Sequence, residues 1–72
     1  MKISYDSKVD AIYFRFLDQD VEVTTQRLTE DIAINYSAQG EIVGIEILSA
    51  QEHLKFSGKK PTVVFENLQV AL

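Results

Sequence analysis

Apolar side chains recur at every second position through most of this chain, the period of a pleated strand with one face turned inward. Residues 11–17 (AIYFRFL) carry the strongest signal. Ile12, Phe14 and Phe16 fall on one face, and Tyr13, Arg15 and Leu17 on the other. Residues 2–5 (KISY) form a shorter strand with Ile3 and Tyr5 on one side, and the intervening DSKVD has the Asp and Ser that favour a turn. After a polar reversal at residues 18–20, VEVTTQRL (21–28) alternates again until Leu28 breaks parity, where a bulge or a strand end is expected.

Residues 32–36 (IAINY) and 41–48 (EIVGIEIL) flank SAQG and read as a hairpin, with Gly40 the residue expected at positive φ. Ile32, Ile34 and Tyr36 point one way, as do Val43, Ile45 and Ile47. Asn35 and Glu46 on the opposite side predict a wet face. Ser49 followed by Glu52 has capping-box spacing, so AQEHLKF (50–56) is expected to be a two-turn helix stopped by Gly58 and Pro61. The tail 62–72 is ambiguous. Phe65, Leu68 and Leu72 have helical spacing, but the β-branched start at residues 62–65 favours a strand. The expected fold is α+β: an antiparallel β-meander of four or five strands, one short helix after residue 49 and a C-terminal strand.

Seventy-two residues make one domain, 1–72, whose core is marginal because a chain of this size buries only about 60% of its unfolded surface. Without cysteine, neither a disulfide nor a thiolate metal site adds to that core, so association into a homodimer or higher oligomer is expected. The absence of cysteine and of an apolar leader in MKISYDSK suits a cytoplasmic location, and no run is long enough to span a bilayer. Eleven acidic residues against seven basic ones give a net charge of −4. Phosphate repulsion then argues against direct nucleic-acid binding, and a basic protein suits the chain better.

Catalytic chemistry is thinly represented. His53 is the only histidine and no orienting acid lies near it in sequence, so no catalytic residue is assigned. Asp6 with Asp10, and Asp18 with Asp20, bracket turns. Neither pair completes a calcium-loop ligand set, and no metal or cofactor is expected. Gly44 lies mid-strand and reads as a close-packing position. Lys55, Lys59 and Lys60 form a basic hinge. Glu46, charged on an apolar strand, has Arg15 or Arg27 as cross-strand partners or a basic partner protein as its target.

YDSKVDAIYFRF (5–16) and EDIAINYSAQGEIVGIEILSA (30–50) together resemble a bacterial and archaeal family catalogued as domain of unknown function 2283. Tyr5, Asp6, Asp10, Ala11, Gly40, Gly44, Glu46 and Ala50 fall on its pattern, while Ser37 and Ser49 stand where acidic or amide residues are common. The resemblance covers residues 1–54 and leaves 55–72 as a variable tail. It implies several antiparallel strands followed by a helix. Members are often encoded beside small toxin-like proteins of the RelE/ParE ribonuclease class, which implies an antitoxin-like role. The expectation is therefore a non-enzymatic interaction module that binds a basic RelE/ParE-like toxin by strand addition and charge, through Glu22, Glu46, Tyr13 and Arg15. The competing expectation is a small-ligand or metal-binding homodimer, enzymatic or not, with Asp6 and Asp10 at the dimer seam. Direct DNA binding would need the seven basic residues on one surface.

Overall fold

A computed structural model describes residues 1–18 and 21–68. Five strands form one antiparallel sheet: β1 (Lys2–Asp6), β2 (Ala11–Arg15), β3 (Thr24–Arg27), β4 (Ile32–Tyr36) and β5 (Ile42–Ile47). A single-turn helix, α1 (Ala50–Leu54), follows. The two faces agree with the alternation. Register places Tyr5, Ile12, Ile47 and Ile32 in one row and Ile3, Phe14, Ile45 and Ile34 in the next, all on the apolar side.

The strand order is β1-β2-β5-β4-β3, which is not the expected meander. β2 pairs with β5, and the chain crosses to the far edge to begin β3. Composition supplies the reason. Pairing β2 with β5 makes the two greasy rows continuous, whereas TTQR brings no large apolar side chain and occupies an edge with all four residues exposed. Residues 21–23 stay outside the ladder, and β3 ends at Arg27, so Leu28 marks a strand end.

The turns after β1, β3 and β4 each have a side-chain acceptor. Asp6 Oδ1 accepts the Lys8 amide at 2.9 Å and Asp10 takes φ 54° to close the first hairpin. Thr29 Oγ1 accepts the Asp31 and Ile32 amides at 3.1 and 3.0 Å. The buried Ser37 Oγ accepts from Gln39 and Glu41 at 3.3 and 3.2 Å, while Gly40 sits at φ 83° as expected. Ser37 thus performs the turn-closing task of an aspartate with a neutral oxygen. A register shift between Asn35 and Tyr36 follows at the β4–β5 end, where the Val43 carbonyl accepts the Phe16 and Leu17 amides.

Three further expectations are corrected. α1 covers five residues rather than seven, because Lys55 turns left-handed at φ 57° before Gly58 is reached. Ser49 is itself left-handed, at φ 50°, and its side chain caps nothing, so the capping box does not form. Residues 62–68 carry no strand, and residues 69–72 of the expected C-terminal strand lie outside the described residues. The β-branched tail lies against the apolar face instead, where Thr62, Val63 and Val64 line a cavity with Ile3, Ile12 and Phe14.

The core is thin. Ile12, Ala33, Val43 and Ala50 are the buried apolar residues among those described.

Candidate interaction surface

Three surfaces carry groups that could recognise something: the wet face, the β3 edge, and the sheet end where the hairpin turns meet α1.

On the wet face the Tyr13 ring reaches diagonally across to lie over Gly44, and Asn35 Nδ2 donates to its hydroxyl at 3.0 Å. Thr25 Oγ1 donates to Asn35 Oδ1 at 2.7 Å, which extends the network from β2 across β5 and β4 to β3. A Cβ at Gly44 would meet the Tyr13 hydroxyl and lie 2.7 Å from the Phe14 carbonyl oxygen, so the position requires glycine. Next to this network Arg27 Nη2 stands 3.9 Å from Glu46 Oε1, both about half exposed. Arg27 also donates to the Glu30 carbonyl at 3.0 Å, and Arg15 Nε donates to the Leu17 carbonyl at 2.9 Å.

Of the four expected contact residues, Tyr13, Arg15 and Glu46 therefore share this face, with Tyr13 directly opposite Glu46 in register. Glu22 stands apart, exposed on the segment that leads into β3. Asn35 and Thr25 are the members that pattern reading missed. Parity placed Asn35 on the wet side but grouped Thr25 with Val21 and Val23, and only the strand order brings Asn35 to Tyr13 and Thr25 to Asn35.

Charge on this face is mixed rather than acidic. Register puts Lys2, Arg15 and Arg27 there with Asp6 and Glu46. Lys8 lies in the first turn and Lys55, Lys59 and Lys60 follow α1, so the seven basic residues are dispersed.

The β3 edge is the most open backbone in the sheet. Leu28 donates its N–H to the Ile32 carbonyl at 2.8 Å. Antiparallel alternation then turns Gln26 and Thr24 toward β4 and aims the N–H and C=O groups of Thr25 and Arg27 outward. No Lys, Pro or bulge guards this edge, and Glu22 before it and Glu30 and Asp31 after it place acids at both ends.

At the other sheet end Asp10 ties three elements together. Its Oδ1 accepts the Tyr5 hydroxyl at 2.7 Å, and its two oxygens accept the Gln51 amide at 3.1 and 3.3 Å. The Asp10 carbonyl also accepts the Ala50 amide at 3.0 Å. The N-cap of α1 therefore comes from the first hairpin, across 41 residues of sequence. Desolvation, followed by the Asp10 carboxylate that holds its proton, raises the Tyr5 phenol above its ordinary range. The Tyr5 ring meets Phe56 edge-to-face at 5.2 Å.

His53 also has an acid partner that sequence proximity did not reveal: its Nε2 lies 2.8 Å from Asp31 Oδ2. Asp31 is fixed by its own carbonyl, which accepts the Leu48 amide at 2.7 Å. The pair bridges the β3–β4 turn and α1. Among the described residues no three His, Cys, Asp or Glu side chains gather as a metal-binding group. No helix among them is long and apolar enough to cross a membrane. An open apolar cavity of about 300 Å³ lies under the tail, lined by Ile3, Ile12, Phe14, Leu54, Phe56 and residues 61–64. Neither Asp6 nor Asp10 belongs to its wall.

Comparison with known proteins gives no matching curated protein and no matching solved structure. The family described as "Protein of unknown function (DUF2283)" matches residues 2–51. That span runs from the first strand through the start of α1 and includes the Tyr5–Asp10 clamp, the Tyr13–Gly44 contact and the Ser37 turn. With well over half of its length matched, the chain belongs to the DUF2283 family.

Proposed function

We propose that this protein is a non-enzymatic interaction module of the cytoplasm that binds a small basic protein by adding a partner strand to the β3 edge. The observation that carries the proposal is the outward-facing Thr25 and Arg27 backbone on an unguarded edge strand with acids at both ends. Main-chain pairing supplies affinity there, while Glu22, Glu30 and Asp31 select a basic partner and speed encounter. A strand laid along β3 passes beside Arg27, which reaches back over β4 toward Glu46, with Tyr13, Asn35 and Arg15 farther in on the wet face. The RelE/ParE-like toxin class, basic and small, fits this chemistry, and the module would then act as an antitoxin-like protein.

The distribution of polar chemistry favours binding over catalysis. Asp6 and Asp10 spend their carboxylates on Lys8, Tyr5 and Gln51, which favours a structural role for both over a ligand site at a dimer seam.

The test is a pull-down from the native host with the tagged protein, at low and then moderate salt, beside Thr25→Pro and Glu22→Lys/Glu30→Lys variants. Proline at residue 25 removes an outward donor and leaves the Gln26 and Leu28 ladder to β4 in place. Recovery of one small basic protein, released by salt and lost with either variant, is expected. Recovery that survives Thr25→Pro unchanged would remove the edge from the mechanism.

A further inference from the structure

The layer over the apolar face is greasy on both of its sides. Its inner side meets Ile3, Ile12 and Phe14 at the cavity, and Tyr5 through Phe56. Val63, Val64, Phe65 and Leu68 are nonetheless 48, 74, 50 and 64% exposed within six residues, with Leu54 at 41% beside the cavity. On the same face of the sheet, Phe14, Ile32, Ile34, Ile45 and Ile47 remain only half-buried although they form its inward rows. A lone Leu on a surface is ordinary, but a run of this kind marks an interaction site.

The amount of exposed surface indicates the occupant. A folded monomer of this mass should expose about 4,500 Å², whereas this chain exposes 5835 Å². The surplus exceeds the roughly 800 Å² per partner that a standard specific interface removes. Charge around the patch is self-complementary. Lys55, Lys59 and Lys60 precede it and Glu66 lies within it, so a two-fold axis can set the cations of one copy against the acid of the other.

We infer that the apolar face, capped by residues 61–68, is the seat of a second copy of this chain, related by a two-fold axis and packed over Leu54, Val64, Phe65 and Leu68. This interface lies on the side of the sheet opposite the wet face and leaves both β3 edges open. It goes beyond the proposed partner binding, whose edge it does not use.

Sedimentation equilibrium of the full chain, from about 1 to 200 μM, tests the inference with wild type, Val64→Asp/Phe65→Asp, Phe65→Ser and Thr25→Pro. The wild type should sediment at twice the 8.2 kDa chain mass at the upper concentrations. Its melting temperature should rise with concentration, as folding coupled to association requires. The double aspartate variant should weaken dimerisation at least a hundredfold and Phe65→Ser at least tenfold, each checked for strand content by circular dichroism. If the double variant does not fold, Phe65→Ser and the concentration dependence decide. Thr25→Pro should remain fully dimeric while losing the basic partner, which separates this inference from the edge reading. A wild type monomeric throughout, a dimer indifferent to Phe65→Ser, or a dimer abolished by Thr25→Pro would each overturn it.

Discussion

The Tyr13 hydroxyl occupies the place of a Gly44 side chain, on the next strand and two residues from Tyr13's register partner Glu46. The ring fills the space a side chain would take and covers a stretch of central strand that would otherwise be bare backbone. Asn35 on β4 then donates to the phenol, and Thr25 on β3 donates to Asn35.

Gly44→Ala should destabilise the protein by about 2 kcal/mol, since the added methyl displaces Tyr13 and presses on a backbone carbonyl that cannot move aside. Tyr13→Phe, which loses only the Asn35 bond, should cost about 1 kcal/mol. Urea unfolding of both variants, and of Gly44→Ala combined with Tyr13→Ala, checks the account. Partial recovery in the combination identifies the ring as the obstacle, and the residual loss belongs to the Phe14 carbonyl.

Asp10 and Ser49 should exchange the roles that their sequence positions suggest. Asp10→Ala removes the acceptor for the Gln51 amide and should cost about 1–2 kcal/mol. Asp10→Asn keeps an acceptor and a side chain tolerant of positive φ, and should cost less. Ser49→Ala should change little through lost capping, and Ser49→Gly should stabilise by about 0.5 kcal/mol by relieving the left-handed backbone. Denaturant midpoints across the four variants would expose the error if Ser49→Gly proved the most damaging.

The raised Tyr5 phenol gives a pH signature. Its protonated form is favoured in the fold, so its contribution to stability is complete below the unfolded value of about 10 and is lost as pH rises through the higher native value. Absorbance at 295 nm should show Tyr5 ionising late, above its unfolded value. Tyr5→Phe should abolish that late step, and unfolding should set in at alkaline rather than neutral pH. A Tyr5 phenol ionising at its unfolded value would refute the Asp10 coupling.

The His53–Asp31 pair is short but about one third exposed on both sides. Its coupling energy, measured by a double-mutant cycle with alanine at each position, should stay below about 1 kcal/mol and shrink with added salt. A larger coupling would mean that the pair is shielded by another chain. The Arg27–Glu46 pair, longer and more exposed, should couple more weakly still.

Much of the sheet was legible in the chain because burial on one face imposes a period of two that composition cannot hide. The sides assigned to Ile12, Phe14, Ile45, Ile47, Asn35 and Glu46, the positive φ of Gly40 and the close-packed Gly44 all follow from alternation and turn chemistry. These are local or nearest-strand consequences, fixed within a few residues of their cause.

Strand order was not legible in that way. Alternation says which way a side chain points but not which strand stands beside it, and antiparallel neighbours need only matching apolar rows. Placing β2 against β5 rather than β3 is a global choice, made because it joins two greasy rows and leaves TTQR at the edge. From that choice follow Asn35 on Tyr13 at 22 residues and Asp10 on Gln51 at 41, while Asp31 meets His53, also 22 residues away, across the β4–β5 pair. Capping went the same way. Ser49 had the right identity and spacing, but a left-handed backbone turned its side chain off the helix and a carboxylate from the first hairpin took the amide. The sequence by itself determined the strands, their faces and their turns, because those depend on local periodicity. Only the tertiary structure decided which polar groups meet, because that depends on which strands the apolar face draws together.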